Sequence, residues 1–446
     1  MKISLSEHFG YSKLIRFTLP PIAMMIFTSI YGVVDGFFVS NFAGKAEFTA
    51  VNLIMPYLMI LGAIGFMFGA GGSALVAKRL GEGRNEDARS LFSLIIYTTV
   101  IVGAVFSVGG IILLRPTARF LGAEGQMLEY CVRYGRIILA ALPFFMLQME
   151  FQTFMITAER PKLGFVMTLA AGFANIIFDA LLVAVFNFGL EGAAFATAIS
   201  QTVGGIAPFV FFCFVKSGNL KLGKTRFEGA ALVKVCTNGS SELLGNISMS
   251  VVAMLYNLQL LRYAGEDGVA AYGVLMYVGF IFCAIFIGYS VGVAPVVSFH
   301  FGAGNKRELR GLLGRSGVII GITSFAMVLL ALLLARPLSS IFVGYDATLF
   351  ELTVSGFYVY SFSFLFSGVA IFLSSFFTAL NDGATSALIS FLRTLVFQIA
   401  FIFVLPFFLG VDGIWLSLIA AELAAAAVAF AFLVLKRNKY GYFKGM

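Results

Sequence analysis

Long apolar stretches, separated by short polar segments, dominate the chain. Twelve of them are about 20 residues or longer, the length at which an α-helix crosses the hydrocarbon core of a bilayer. We therefore predict an all-α integral membrane protein with twelve transmembrane helices. They are placed near residues 13–39, 48–77, 87–114, 127–156, 163–186, 191–216, 232–262, 268–299, 309–335, 350–379, 385–409 and 412–436.

The composition agrees with a membrane protein. Hydrophobic residues make up 60% of the 446-residue chain and charged residues 12%, whereas a soluble domain carries about 25% charged residues. The net charge of +8 does not indicate a nucleic-acid partner, because the basic residues lie in loops on one side of the predicted membrane. The four cysteines are scattered through apolar stretches, without the spacing of a disulfide or zinc set.

The distribution of Lys and Arg predicts the orientation. Of the 30 basic residues, 22 fall on the side that holds both termini and 7 on the opposite side. By the positive-inside rule both termini are cytoplasmic. The first ten residues show no signal peptide, so we expect the first span to be retained in a multi-pass protein of a bacterial-type cell membrane.

An internal repeat divides the chain into two halves. A shift of 221 residues superimposes Gly81 on Gly302, Gly189 on Gly410, and the pair Arg115-Pro116 on Arg336-Pro337. The sequence therefore predicts an N-terminal six-helix lobe over residues 1–215, a basic linker over 216–234, and a C-terminal six-helix lobe over 235–446. Such parallel repeats are typical of transporters, with the substrate path in a central cleft between the lobes.

Two acids lie inside predicted spans of the first half. Asp35 is 19 residues beyond Arg16 and Asp179 is 17 beyond Lys162, so both lie about 26–28 Å along helices that start on the same side. Asn175 and Tyr31 each precede one acid by four residues and share its helix face. The 221-residue shift places Asp35 on Tyr256 and Asp179 on Ala400, so the pair is unique to the first half.

A carboxylate in hydrocarbon costs at least ~2.5 kcal/mol and usually faces a cavity on an ion or substrate path. Two carboxyl groups at one depth cannot both ionise at low cost, so the pair is suited to hold a proton or a small cation. Oxygen ligands suit Na⁺ as well. The alternative is a static hydrogen-bonded pair that only fixes helix packing.

The sequence resembles the multidrug and toxic compound extrusion (MATE) family. Val34-Asp35-Gly36 followed by Ser40-Asn41-Phe42 looks like its first-helix motif, and residues 175–179 and 189–201 look like segments of its fifth and sixth helices. Residues 302–305 with downstream Arg310 are similar to the loop after its eighth helix. The resemblance implies two lobes that open alternately and export cationic, amphipathic drugs or dyes in exchange for H⁺ or Na⁺. The stretch from Val354 to Phe377 of the tenth predicted helix contains no acid, which favours the DinF-like or MepA-like branches.

The resemblance also implies roles for particular residues. Six of them match the ion-coupling site of the first lobe and its neighbours: Asp35, Asn175, Asp179, Thr197, Tyr31 and Tyr134. The first four would also bind the metal if Na⁺ is the coupling ion. No cofactor other than the coupling ion is expected. The protein is expected to be a transporter and not an enzyme, and to be a monomer.

Further polar residues within spans are candidates for the substrate cleft. They are Glu242, Gln148, Met149, Glu150 and Glu422. Glu242 is either a substrate or relay residue or a hydrated residue at the cleft mouth. Glu150 is either hydrated or the partner of Arg393, which is the one basic residue deep in a span and is expected to have a structural role.

The function predicted is a secondary multidrug antiporter. The main alternative is a flippase of lipid-linked oligosaccharides or peptidoglycan precursors, whose anionic substrate would need several basic residues deep in the cleft. A channel or a sensor is a further alternative. A phosphate-binding loop with Lys-Ser/Thr is absent from the sequence, so ATP as the driver is unsupported.

Overall fold

The computed structural model describes residues 3–38, 45–215 and 218–442, and in these ranges it contains helices and no strand. The α-helices, in chain order, are α1 Tyr11–Phe38, α2 Lys45–Gly81, α3 Asn85–Phe120, α4 Gly125–Ala140, α5 Leu142–Thr157, α6 Pro161–Asp179, α7 Gly189–Phe214, α8 Gly229–Gly302, α9 Lys306–Val343, α10 Ala347–Tyr360, α11 Phe364–Ala379, α12 Gly383–Phe391, α13 Phe397–Leu409, α14 Val411–Leu435 and α15 Arg437–Tyr440.

Several spans are interrupted, and joining the pieces gives the expected number of crossings. Helices α4 and α5 meet at an angle of 53° and form one bent span. Helix α8 has 74 residues and would be about 110 Å long if straight, far more than a bilayer is thick. It is broken at Gly265, whose φ is 64° and ψ is −155°, and therefore crosses twice. Within the described ranges the chain thus spans the membrane twelve times, which confirms the prediction.

Three spans contain a turn of non-α helix. A π-helical segment, Ala180–Val185, follows α6, and a second, Leu392–Val396, joins α12 to α13. A short 3₁₀ segment, Ser361–Ser363, joins α10 to α11. Each interruption leaves the span continuous, so the helical pattern of the sequence predicts the span but gives no sign of the local change of pitch.

The helices form two lobes around a central cleft. Helices α1 to α7 build the first lobe and α8 to α14 the second. One buried apolar cluster lies mainly in the second lobe and includes residues of α1. Two others lie mainly in the first lobe, and one of these includes Ala231 and Val235 of α8. Large apolar side chains on the outward faces stay exposed, among them Phe214, Leu333 and Phe407, as expected for surfaces that face lipid. The all-α, two-lobe architecture agrees with the prediction.

Glycines bring the two lobes into backbone contact near one face, which we call the terminal face because it holds both chain ends. A Cβ atom added to Gly81 would overlap the carbonyl oxygen of Phe299, and one added to Gly302 would overlap that of Lys78. These two contacts are equivalent under the 221-residue shift. Gly71 on α2 and Gly239 on the first half of α8 also meet at backbone distance, about three turns before Gly81 along α2. The lobes are therefore closed against each other at the terminal face.

The connection between the lobes runs along α3. The side chain of Arg89 donates hydrogen bonds to the carbonyls of Gly218 at 3.1 Å and Asn219 at 3.2 Å. Helix α8 begins at Gly229, so the last residues of the predicted 216–234 linker are already helical. The lobe limits predicted at 215 and 235 stay a prediction.

Candidate functional site

The structure brings Asp35 and Asp179 together inside the first lobe. Asp35 lies three residues before the end of α1, and Asp179 is the last residue of α6. The hydroxyl of Thr197, on α7, donates a hydrogen bond of 3.3 Å to Oδ1 of Asp35. The carboxyl of Asp35 also interacts with the side chains of Asn175 and Asp179. Three helices therefore contribute oxygen and amide groups to one small site.

The part of this site on α6 is dry and has unused polar atoms. Asp179 is 0% exposed and Asn175 is 1% exposed. Among the described residues, neither carboxyl oxygen of Asp179 nor Oδ1 of Asn175 has a hydrogen bond of normal geometry. A buried polar atom without a partner costs roughly 1–3 kcal/mol. A proton shared with Asp35, or a small cation bound by these oxygens, would supply the missing interaction.

Two tyrosines surround the acids. Tyr134 on α4 is 1% exposed and lies within electrostatic range of both Asp35 and Asp179. Tyr31, one turn before Asp35, interacts with Asp35 and with the side chain of Gln148 on α5. A Cβ at Gly172 would lie 3.1 Å from the Tyr31 ring, so this glycine lets α6 approach α1 closely. The six predicted ion-site residues thus lie in one neighbourhood, while their roles stay predictions.

The chain changes pitch directly after Asp179. The segment Ala180–Val185 is π-helical, and the amide of Phe186 donates to the carbonyl of Leu181 at 2.8 Å. Such wide turns are uncommon and occur often at functional sites. Sequence reasoning missed this feature, since an apolar run such as this one is equally compatible with a regular α-helix.

A cavity of about 280 Å³ lies between the lobes, deeper than the glycine contacts of the terminal face. The first lobe contributes Met25, Phe66 and Met149 to its wall, and the second lobe contributes Glu242, Ser374 and Arg393. The predicted cleft residues Glu242 and Met149 therefore line it. Most of the wall area is apolar, but hydroxyl and amide side chains also line the cavity. Cavities that combine apolar walls with placed polar groups are where small molecules bind.

The other three predicted cleft residues do not line this cavity. Gln148 lies within the first lobe, where its side chain packs against Gly204 of α7. Glu150 is 0% exposed and faces Thr99 of α3. Helical spacing explains the difference, because 148 and 150 lie about 100° to either side of Met149, which does line the cavity. Apolar residues occur on every face of this span, so the sequence did not show which face lines the cavity.

The partner of Arg393 is Glu422 and not Glu150. The guanidinium Nε of Arg393 lies 2.8 Å from one oxygen of Glu422 on α14 and 3.1 Å from the other. Of the two alternatives for Glu150, pairing with Arg393 is therefore wrong, since the two residues belong to different lobes and face different neighbours. The expected structural pairing of Arg393 is present, with an acid whose mid-span position the sequence had already marked.

The motif residues Ser40, Asn41 and Phe42 lie outside the described residues. Among the residues that are described, no three or more His, Cys, Asp and Glu side chains cluster as a metal site would require. Binding of Na⁺ would therefore depend on the oxygens of Asn175 and Thr197 as well as on the two acids, a set that suits a hard cation.

Two lobes around a cleft, with an acid site inside one lobe, define a membrane transporter. A model of the MatE family matches residues 20–181 and again residues 243–404. The chain therefore belongs to the MatE family, and it is a transporter and not an enzyme.

Curated relatives match over nearly the whole chain. The "Multidrug export protein MepA" of Staphylococcus saprophyticus is 25% identical over 431 residues, covering 96% of this chain and 94% of that relative. The protein of the same name from Staphylococcus aureus is 24% identical over 432 residues, with the same coverage. The chain is thus similar to these two export proteins along nearly its whole length.

Solved structures share the fold. One described as "Crystal structure of MATE in complex with MaL6" has a TM-score of 0.93 at 20% identity and covers 98% of both chains. An "Outward-facing conformation of a multidrug resistance MATE family transporter" has a TM-score of 0.92 at 21% identity, again with 98% of both chains covered. At this identity the similarity concerns the fold alone.

Proposed function

We propose that this protein is a cation-coupled multidrug efflux antiporter of the bacterial cell membrane. It exports cationic, amphipathic compounds in exchange for H⁺ or Na⁺, and its terminal face is cytoplasmic. Its similarity to multidrug export proteins over 96% of the chain supports the export of drugs. The excess of basic residues on the terminal face supports the orientation.

The observation that carries the coupling is the unsatisfied acid pair of the first lobe. Asp179 is fully buried without hydrogen-bond partners of normal geometry among the described residues, and the carboxyl of Asp35 is beside it. When the pair is charged, the desolvated carboxylates favour uptake of a cation. When a proton or Na⁺ neutralises the pair, the lobe no longer favours a cationic substrate. Substrate and coupling ion thus exclude each other, which is the requirement for exchange.

The flippase alternative is less well supported. A phosphorylated lipid-linked substrate would need several basic groups in the cleft. The walls of the described cavity carry Arg393 and Glu242, and Arg393 is paired with a second acid, Glu422. This balance of charges favours a ligand that carries a positive group.

Transport by the purified protein in proteoliposomes tests the proposal. The dye is rhodamine 123, a cationic amphipath, and pH and Na⁺ gradients are imposed separately. We expect one of the two gradients to drive uptake of the dye against its concentration. Asp35→Asn and Asp179→Asn should each lower this uptake at least about tenfold, since one lost charge–ion interaction is worth about 1.4 kcal/mol or more.

A matched control is Asp267→Asn, an aspartate that is exposed on the face opposite the termini. This variant should transport as the parent protein does. Uptake that neither gradient drives, or full coupling in both Asp35→Asn and Asp179→Asn, contradicts the proposal.

A further inference from the structure

Arg393 has donor groups that its ion pair does not use. Both oxygens of Glu422 bond to Nε of Arg393, which is one edge of the planar guanidinium. Among the described residues, the two terminal amino groups donate no hydrogen bond. The side chain is 20% exposed and lines the inter-lobe cavity. The free end of a guanidinium is a fork that matches the two oxygens of a carboxylate.

Glu242 is the complementary group in the same cavity. Its carboxylate accepts no hydrogen bond from any residue that the structure describes, although its backbone carbonyl accepts one from Asn246 at 2.8 Å. Arg393 is close enough to act on Glu242 electrostatically, but the two do not form an ion pair of their own. The cavity therefore presents one unpaired acid and one free guanidinium edge to whatever enters it.

The local backbone supports a binding role for Arg393. It lies inside the π-helical segment Leu392–Val396, one of the two such turns in the described chain. The other follows Asp179 directly. A π-turn offsets the side chain from the register of a regular helix and is found preferentially at functional sites.

From these contacts we propose that the inter-lobe cavity is a binding site for zwitterionic amphipaths. The ligand's ammonium or iminium group binds Glu242 and its carboxylate binds the free edge of Arg393, while its apolar body contacts Met25, Phe66 and Met149. Glu422 holds the guanidinium in place and keeps the cavity from being positively charged as a whole. This inference rests on the proposed export function and adds a preference within its substrates.

The test uses two dyes that differ in a single group. Rhodamine 110 has a free carboxylate and is zwitterionic, and rhodamine 123 is its methyl ester and a cation. Dissociation constants are measured by fluorescence anisotropy with the protein in nanodiscs. We expect rhodamine 110 to bind roughly tenfold more tightly than rhodamine 123, because a bidentate charged contact is worth about 1.5 kcal/mol or more.

The decisive variant is the double substitution Arg393→Gln with Glu422→Gln, which removes the ion pair without leaving either charge buried alone. It should abolish the preference for rhodamine 110, so that the dissociation constants of the two dyes lie within about twofold of each other. The single variant Glu422→Gln retains the charge of Arg393 but not its anchor, so it should show a preference smaller than that of the parent but not abolished. Glu242→Gln should weaken both dyes by a similar factor. An unchanged ratio of the two constants in the double variant overturns the inference.

The two proposals fail in different ways. If a gradient drives uptake of rhodamine 123 but the double variant keeps its preference for rhodamine 110, the export function stands and the carboxylate site does not exist. If neither dye is driven by either gradient, the export function itself fails, whatever the binding constants are.

Discussion

The ion pair between Arg393 and Glu422 joins two spans of the second lobe, and little of it is exposed. The side chain of Arg393 is 20% exposed and that of Glu422 is 10% exposed. Removing one charge from such a pair leaves the other desolvated without compensation, which is costlier than removing both. The stability of the lobe should therefore depend on the two residues together.

We predict that Glu422→Gln lowers the free energy of unfolding by roughly 3 kcal/mol, the low end of the range for a broken buried pair. Thermal unfolding of the purified protein in detergent measures the effect. The double variant with Arg393→Gln should recover most of the lost stability, since no charge then stays buried. A double variant that unfolds at as low a temperature as Glu422→Gln would show that the pair's role is not electrostatic.

Asp382 is a residue between spans whose ionisation supports the second lobe. Its carboxylate accepts hydrogen bonds from Lys436 at 2.6 Å and from the hydroxyl of Tyr440 at 2.7 Å. Burial acts to raise the pKa of Asp382, but the bonds to Lys436, Tyr440 and Thr385 outweigh it and hold the pKa below its ordinary value of 3.8. A lowered carboxyl pKa stabilises the fold above pH 3.8, and this contribution is lost as the pH falls through the lowered value.

Asp382→Asn should therefore reduce the free energy of unfolding by roughly 1.5–3 kcal/mol at pH 7, as expected for hydrogen bonds to a charged group. The deficit relative to the parent should be constant down to about pH 4 and shrink below it. Thermal unfolding between pH 3 and pH 8 measures this, with the exposed Asp412→Asn as control. A deficit that does not shrink in acid would mean that the charge of Asp382 is not what stabilises the fold.

The sequence predicts the position of some single residues in this chain, but it does not predict the partners of others. The depth of Asp35 and Asp179 followed from counting along helices, because a lone acid in an apolar span is conspicuous. The missing partners of Asp179, and the free edge of Arg393, are properties of three-dimensional surroundings and leave no pattern along the chain. Which face of a helix lines the cleft is likewise a three-dimensional property. Gln148 and Glu150 were therefore expected in the cleft, whereas of the five predicted cleft residues Met149 and Glu242 line it.

The helices α2 and α8 make the closest approach between the lobes, and glycine permits it. Gly81 and Gly302 each face a backbone carbonyl of the other helix with no room for a Cβ atom. An added methyl group would force the two helices apart at the terminal face. It would not disturb the packing within either lobe, because both contacts are between lobes.

We predict that Gly81→Ala and Gly302→Ala each favour a state that is open at the terminal face. A cysteine placed at Ser73, which lines the cavity and is 4% exposed, should react several-fold faster with an impermeant maleimide from that face. Vesicles of known orientation and a background without natural cysteines are used. The control is Gly317→Ala in α9, where a Cβ meets no atom within 4 Å. Equal labelling in all three variants contradicts the prediction.

At the level of elements, the apolar pattern predicted each span but not its interior. It could not show that α4 and α5 meet at 53°, or that two spans contain π-turns. Lipid-facing and lobe-facing residues are both apolar in this chain. Hydrophobic periodicity, which marks the buried face in soluble helices, is therefore weak here.

At the scale of the whole molecule, the N-terminal segment, residues 4–9, links the two lobes. This segment is not part of the repeat. Glu159, between α5 and α6, accepts bonds from the Ser4 hydroxyl at 2.7 Å and the Leu5 amide at 2.9 Å. Glu308, in the first turn of α9, accepts one from the Phe9 amide at 3.0 Å and lies 2.6 Å from Nδ1 of His8. Leu5 and Phe9 are fully buried. The 221-residue shift predicted two copies of one lobe, but a segment outside the repeat could not be placed by it.

A link that is anchored at both ends fails when either anchor is lost, so the two anchors should not act additively. We predict that Glu159→Ala and Glu308→Ala each speed labelling of the Ser73 cysteine from the terminal face, by about the same factor. The double variant should be only slightly faster than either single variant, whereas independent contacts would multiply their effects. Glu266→Ala, an exposed acid far from this segment along the chain, should have no effect. If the two factors multiply in the double variant, the segment is not a single link, and each glutamate stabilises only its own lobe.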